Sequence, residues 1–336
     1  MSSQRPILIL TVSYEPGTDP VVELLNEAKV PWFRVNLDLV GMHGRSSWWL
    51  LDGMERAGAL VSAYGRSLQI EDVGVVWYRR YFRLAPDIRN TPEEIRHFVC
   101  GEVDHYLRGL FASLSDKPWV NHYLASRLGK MRHLEIAVAS GLRVPPTLVT
   151  NNPLDVREFA KRFERIVVKA LSYGVIGDSD IHDRQKRYPQ SCFTELVGPT
   201  DLVDDDAILR APAIYQKYVE KAFELRITVV GNKIFTAAMD TQQVEEAQID
   251  WRAAGDKICC IRHQPYDLPP EISAGIRTFM RQAGLQFACI DMIVTPEGDF
   301  VFLEANPFGQ WGWVESFTGM PITRSVAELL IRLANG

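Results

Sequence analysis

Asp291, Glu304 and Asn306 are the residues best placed in the sequence to do chemistry together. They lie on two β-type runs, Phe287 to Thr295 and Phe300 to Ala305, joined by Pro296-Glu297-Gly298-Asp299. If Glu297-Gly298 is a two-residue hairpin loop, counting back from the turn sets Asp291 directly opposite Glu304. Asn306, two residues further on, shares that face. Opposed side chains stand about 5 Å apart at Cβ, where like charges destabilise a sheet unless a cation lies between them. Two carboxylates and an amide oxygen make a hard-oxygen set suited to Mg²⁺, an ion that keeps waters and bridges substrate phosphates. A bulge would spoil this register, and a solvated acidic hairpin face is the plainer reading of the same residues.

Two lysines precede this hairpin: Lys130 on a helical run before Gly141, and Lys169 near the end of the strand-type run Arg165 to Ala170. As solvated surface lysines neither needs explanation. The loop after Lys169, Leu171 to Gly177 with glycines at 174 and 177, could close over phosphates. It is not the G-x-x-x-x-G-K-[ST] loop, which excludes Walker-type binding. Gln216-Lys217-Tyr218-Val219-Glu220 is an extended segment leading to Glu224-Leu225-Arg226. In a strand, residues two apart present backbone groups to the same edge, so the Lys217 carbonyl and Val219 amide can meet one adenine edge. An acid soon after, such as Glu224, could hold a ribose, while a ladder with another strand would use the same backbone groups equally well. Asp204-Asp205-Asp206 reads as a charged helix start. The 7 histidines are scattered and none receives a role.

These residues need elements to hold them. The opening reads as strand Ile7 to Val12, a helix capped by Asp19 with Pro20 following, and strands Trp32 to Asn36 and Val73 to Tyr78. The turn Ser13-Tyr14-Glu15-Pro16-Gly17 lacks the dinucleotide fingerprint. Thr91-Pro92-Glu93-Glu94 has capping-box form ahead of a long amphipathic helix reaching Leu114. A second helix is expected over Leu124 to Ala139, ended by Ser140-Gly141. From residue 147 the pattern turns β-rich, with strands Thr147 to Thr150, Arg165 to Ala170, Ala213 to Val219, Leu225 to Gly231 and Ile234 to Met239. Gly231-Asn232 is a hairpin-type turn. Helices are expected over Pro153 to Phe163, Pro270 to Ala283 and Arg324 to Ala334. The polar stretch Gly174 to Pro212 is long for a plain connection.

A chain of 336 residues allows about two domains, and 46% hydrophobic with 24% charged residues is globular composition. Lys plus Arg total 37 against 42 acidic residues, and a net charge of -5 argues against a nucleic-acid partner. The 5 cysteines form no C-x-x-C pair, so a reducing cytoplasm is expected rather than a disulfide framework. The apolar run Ile7 to Val12 is short for a signal peptide, and no stretch has the roughly 18 apolar residues a membrane helix needs.

The order Lys130, Lys169, Gln216 to Val219, Glu224-Leu225-Arg226, Asp291 and Leu303-Glu304-Ala305-Asn306-Pro307 resembles the ATP-grasp superfamily of carboxylate-amine ligases. Ile7-Leu8-Ile9-Leu10-Thr11, Phe33-Arg34-Val35-Asn36, Trp77-Tyr78-Arg79-Arg80, Val168-Lys169-Ala170-Leu171 and Asn306-Pro307-Phe308-Gly309-Gln310-Trp311 resemble the microviridin-type, or graspetide, peptide macrocyclases along nearly the whole chain. The glycine-bearing loop departs from that pattern.

The resemblance implies an α/β (α+β) ATP-grasp fold: an N-terminal pre-ATP-grasp domain over 1–118, a small central subdomain over 119–212 and a C-terminal subdomain with an antiparallel sheet over 213–336. It implies ATP and Mg²⁺ as cofactors, with Lys130, Lys169, Gln216, Lys217, Val219 and Glu224 on ATP and Asp291, Glu304 and Asn306 on the metal. Arg226 would stabilise charge on a carboxylate or acyl phosphate. The implied partner is a ribosomal precursor peptide whose leader docks on the insert Ile176 to Val197 and at Asp204 and Asp205. Its Asp or Glu carboxylates would be phosphorylated and attacked by Ser/Thr hydroxyls or Lys amines. A cytoplasmic homodimer is expected, with no nucleic acid and no membrane. A RimK-like amino-acid ligase is the main alternative, ahead of a phosphotransferase or a nucleotide-binding regulator.

Overall fold

A computed structural model describes residues 4–40, 45–49, 57–61, 65–79, 91–172, 175–176 and 190–336. The N-terminal part contains β1 (Ile7–Thr11), α1 (Thr18–Glu27), β2 (Trp32–Asn36), β3 (Arg45–Trp49), β4 (Ala57–Val61), β5 (Ser67–Gln69), β6 (Val75–Tyr78), α2 (Glu93–Ser113) and β7 (Trp119–Val120). A parallel sheet runs β2-β1-β6-β7, beside a small antiparallel sheet β3-β4-β5. β1 and β6 are buried at every residue, as expected of parallel strands covered on both faces.

Two helix starts differ from expectation. α1 begins at Thr18 rather than behind an Asp19 cap, because Asp19 is drawn to Arg34 at 2.7 Å while the Thr18 hydroxyl donates to Glu15 at 2.9 Å. α2 begins at Glu93 with no side-chain cap, and the Thr91 carbonyl instead accepts from Arg96 Nε at 2.9 Å.

The middle of the chain contains α3 (Gly129–Ala139), β8 (Thr147–Thr150), α4 (Pro153–Arg162), β9 (Ile166–Lys169), β10 (Val175–Ile176), β11 (Gln190–Ser191), β12 (Glu195–Leu196), α5 (Asp205–Arg210) and β13 (Ala213–Lys217). The helix expected from residue 124 is broken: a single 3₁₀ turn, Ala125–Arg127, is followed by Gly129 at φ +77°. That break makes Lys130 the second residue of α3, with its side chain at the helix entrance. α3 ends as expected, Gly141 N donating to the Val138 carbonyl and Leu142 N to Ala137. β12-β9-β13-β8 form an antiparallel sheet and β10 pairs with β11. Arg80, Gly174 and residues 177–189 of the insert lie outside the described residues.

The last part contains β14 (Phe223–Val230), β15 (Lys233–Met239), β16 (His263–Pro265), α6 (Pro270–Ala283), β17 (Phe287–Val294), β18 (Phe300–Asn306), α7 (Gly312–Thr318) and α8 (Ile322–Asn335). Their antiparallel sheet is ordered β16-β15-β14-β17-β18, and Gly231-Asn232 turns the β14–β15 hairpin as expected. Leu225, Ile227 and Ile290 on one face pack against α6 and α3 through Phe279, Ile276 and Ile136. A second core joins Ile7, Ile9 and Trp77 of the parallel sheet to Phe287, Trp311 and the apolar face of α8. Polar residues of β14 and β17 therefore face away from α6, toward the loops that join the two sheets.

Candidate active site

The β17–β18 hairpin reaches its expected register by an unexpected route. Its loop holds three residues, Pro296 to Gly298, closed by Thr295 N to the Asp299 carbonyl at 3.0 Å, with Gly298 at φ +88°. Val294, Ile293 and Met292 then face Phe300, Val301 and Phe302, one step off the expected pairing. A bulge at Leu303 restores it, so that Asp291 faces Glu304 and Cys289 faces Asn306. The longer loop and the bulge cancel. On the other side β14 sets Arg226 opposite Asp291, which gives a row of Arg226, Asp291 and Glu304 across three strands.

Charge balance along this row is tight. Arg226 Nη1 donates to Asp291 Oδ1 at 2.9 Å and Nη2 to the Gln310 carbonyl at 3.1 Å, with Trp251 and Trp313 beside the guanidinium. Burial disfavours that charge, but Asp291 outweighs it and holds the arginine firmly protonated. Burial pushes Asp291 above the usual carboxylate range despite Arg226, and Glu304 adds repulsion. Glu304 is opposed by burial too, yet Lys130, Arg252 and Lys169 hold it below its ordinary value. Lys130 Nζ lies 3.3 Å from Glu304 Oε2 and donates to the Ala170 carbonyl at 3.0 Å. Lys169, half-buried at the end of β9, is lowered by burial more than Glu304 and Asp250 raise it. Cations thus converge on Glu304 from three elements.

These residues fit Mg²⁺. Among the described residues no three or more His, Cys, Asp and Glu side chains are gathered so that they could hold a metal ion by themselves. Two carboxylates and an amide suit an ion that takes its remaining oxygens from water and phosphate. Asn306 keeps one commitment of its own, its Oδ1 accepting from Phe308 N at 2.9 Å.

A cavity of about 310 Å³ opens over Glu304, Ala305 and Asn306. Lys130, Arg252 and His133 line it, with Tyr78 and Phe308 contributing aromatic surface. Arg252 was not singled out from sequence. It is held in the cavity wall by both Asp250 oxygens, at 2.9 and 2.6 Å, and Asp250 is pulled down to about 2, burial opposing and Arg252 prevailing. The one signal that could have found it is weak: the stretch between Met239 and Pro270 shows no clear period and is long for a plain connection. His133, one turn beyond Lys130 on α3, is buried and its pKa is lowered by burial. Arg226 does not line the cavity but sits behind Asp291.

The remaining sequence candidates are spread around this centre. Gln216 is buried and donates to Thr147 Oγ1 at 2.9 Å. Lys217 N donates to the Pro146 carbonyl at 3.0 Å, and Pro146 has no N–H to return, so the ladder offers that edge of the Lys217 carbonyl no donor. Val219 is half-buried two residues on. Glu224 is buried against Lys221 at 2.6 Å and raised by burial, an ion pair that already uses one of its oxygens. Asp204 and Asp205 do not line the cavity: Asp204 caps α5 by accepting from Ala207 N at 2.9 Å, and Asp205 pairs with Arg157.

Residues 6–127 match the family model described as MvdD pre-ATP grasp domain. No curated protein matches the chain. Among solved structures, the Chryseobacterium gregarium RiPP-associated ATP-grasp ligase, in complex with ADP and a leader and core peptide, is 28% identical over 98% of this chain and 97% of its own, with a TM-score of 0.87. Macrocyclase MdnC from Microcystis aeruginosa MRC, bound with precursor peptide MdnA, is 30% identical over 97% of this chain and 99% of its own, with a TM-score of 0.82. Macrocyclase MdnB from the same organism is 28% identical over 97% and 99%, with a TM-score of 0.78.

Proposed function

The chain belongs to the ATP-grasp ligases of the microviridin-macrocyclase kind, and on that premise we propose that it is an ATP-dependent, ADP-forming macrocyclase of a ribosomal precursor peptide. The observation that carries this reading is the cavity in which Lys130 and Arg252 surround Glu304 and Asn306, beside Asp291. A carboxylate oxygen of the peptide attacks the γ-phosphorus of ATP, and ADP departs. A Ser/Thr hydroxyl or Lys amine of the same peptide then attacks the acyl carbon, phosphate leaves, and an ester or amide ring closes with the attacking group's proton released. Asp291, Glu304 and Asn306 would hold Mg²⁺, which would supply charge neutralisation on the phosphates. Lys130 and Lys169 hold phosphate oxygens, the hinge Gln216 to Val219 meets adenine, and Glu224 completes the nucleotide side. Arg252 on the cavity wall and Arg226 behind Asp291 supply fixed positive charge where the acyl phosphate forms. No protein nucleophile is needed, and the Ser126 hydroxyl at the cavity is committed to the His122 carbonyl at 3.1 Å.

Mass spectrometry tests the reaction. With ATP, Mg²⁺ and a precursor peptide, each ring formed is expected to lower the peptide mass by one water, about 18 Da, as acyl activation followed by internal attack requires. A mass gain of one amino acid would instead establish an amino-acid ligase, and a stable gain of about 80 Da a phosphotransferase.

Leader docking at Asp204 and Asp205 is part of the same proposal, supported by their exposure beside exposed Val203 and Leu209. This pairing suits an amphipathic peptide with a basic residue. Asp204→Asn keeps the helix cap while removing charge. Combined with Asp205→Asn it is expected to weaken leader binding about tenfold, some 1.4 kcal/mol, while ADP affinity stays unchanged in calorimetry. Unchanged leader binding would move the docking surface elsewhere. The three-part division at 118 and 212, the homodimer and the cytoplasmic setting are also proposed. The five unpaired cysteines support a reducing compartment.

A further inference from the structure

Glu15 lies in the turn after β1, which carries no nucleotide fingerprint, and Arg79 follows the end of β6. Their side chains meet at 3.0 Å while 0% and 1% exposed. Burying both charges carries a heavy desolvation penalty, and breaking such a pair leaves an uncompensated buried charge, so the two side chains hold one another in place. What they fix is Gln310. Arg79 Nη2 donates to Gln310 Oε1 at 3.1 Å and to the Gly309 carbonyl at 3.3 Å, while Gln310 Nε2 donates to Glu15 Oε1 at 2.9 Å. The other Glu15 oxygen accepts from Thr18 Oγ1 at 2.9 Å, and the Arg79 guanidinium lies 4.4 Å over the Trp311 ring. The side chain of Gln310 thus belongs to the N-terminal network, and its backbone belongs to the site: its carbonyl accepts from Arg226 Nη2 at 3.1 Å, whose Nη1 holds Asp291. The preceding residue leaves no slack, since a Cβ at Gly309 would stand 2.2 Å from the Cβ of Cys289 and 3.1 Å from Arg226 Nη2.

We propose that Glu15 and Arg79 are positioning residues that act through Gln310 to hold Arg226 against Asp291, so that the N-terminal part of the chain sets the geometry of the reacting centre. This rests on the roles given to Arg226 and Asp291 above. With Nη1 on Asp291 and Nη2 on the Gln310 carbonyl the Arg226 guanidinium is anchored at two points, and a displacement of about 1 Å in a positioning group is enough to cost about a hundredfold in rate.

Gln310→Met tests it, since methionine has nearly the same length and volume but makes neither side-chain bond. In a folded variant, checked by near-ultraviolet circular dichroism, kcat for peptide dehydration is expected to fall about ten- to a hundredfold, with peptide KM and ADP affinity unchanged. On an Arg226→Lys background the same substitution is expected to cost nothing more, because the residue it serves is already altered. Independent, multiplying losses, or parent-like kcat in Gln310→Met, would overturn the proposal. If Gln310→Met does not fold, Glu15→Asp, which shortens the carboxylate and keeps its charge, carries the same cycle. Should the parent protein turn over ATP without dehydrating any precursor peptide, the macrocyclase reading fails, and the coupling is then read on ATP turnover.

Discussion

Glu304→Gln is expected to reduce Mg²⁺-dependent turnover at least about a thousandfold, some 4 kcal/mol of transition-state stabilisation, while leaving the fold intact. Glu304 sits where β18 passes Lys130, Arg252 and Lys169, three cations whose attraction keeps it ionised against burial. Glutamine preserves its volume and removes the charge that they and the metal share. The loss should be one of charge rather than of packing, because the residue stays half-exposed at the cavity and opposite Asp291. Removing the charge relieves the repulsion from Asp291 but forfeits the stronger attraction of those three cations, so thermal stability is expected to fall modestly while the fold is kept. Turnover measured across a Mg²⁺ series decides the matter: a folded Glu304→Gln protein with parent-like rates would end the metal assignment for this hairpin.

The second large effect is expected at Lys169. Its ammonium is half-buried at the end of β9, where burial lowers its pKa and Glu304 and Asp250 partly restore it. A triphosphate arriving there would supply the negative charge that the site lacks, so the contact strengthens as nucleotide binds. Lys169→Met is expected to raise the ATP concentration for half-maximal turnover by about ten- to a hundredfold, in line with roughly 1.5–3 kcal/mol for a hydrogen bond to a charged group. Lys130 should show the same direction of change with an added consequence: it already contacts Glu304, so Lys130→Met also leaves that carboxylate without its nearest cation. Nucleotide affinity equal to that of the parent in both variants would return these lysines to the class of ordinary solvated side chains.

Local pattern carried much of the architecture. Short apolar, β-branched runs bounded by turn signals placed β1, β14, β15, β17 and β18, because runs of that length are too short for a helix that would bury them. The helix starts at Thr18, Glu93 and Gly129 were not legible. At each one a long-range or backbone feature displaced the local cap signal: the Asp19–Arg34 pair, the Arg96–Thr91 contact and the positive φ of Gly129.

The candidate site divides in the same way. The order from Lys130 through Lys169 and the 216–219 segment to Asp291, Glu304 and Asn306 implied nucleotide and metal roles through its resemblance to the ATP-grasp pattern, whereas residue type by itself pointed only to a hard-oxygen set on the hairpin. The facing of Asp291 and Glu304 was inferred from a two-residue loop, and it exists because a three-residue loop and a bulge at Leu303 cancel, a sum that no local pattern encodes. Arg252 in the cavity wall, Arg226 behind Asp291, and Glu15 with Arg79 on Gln310 depend on contacts spanning up to 295 residues. Sequence determined which groups were available and the period of the elements that carry them. Tertiary structure alone decided which charges meet, because the pairing of a buried ion is set by packing across sheets and not by its neighbours along the chain.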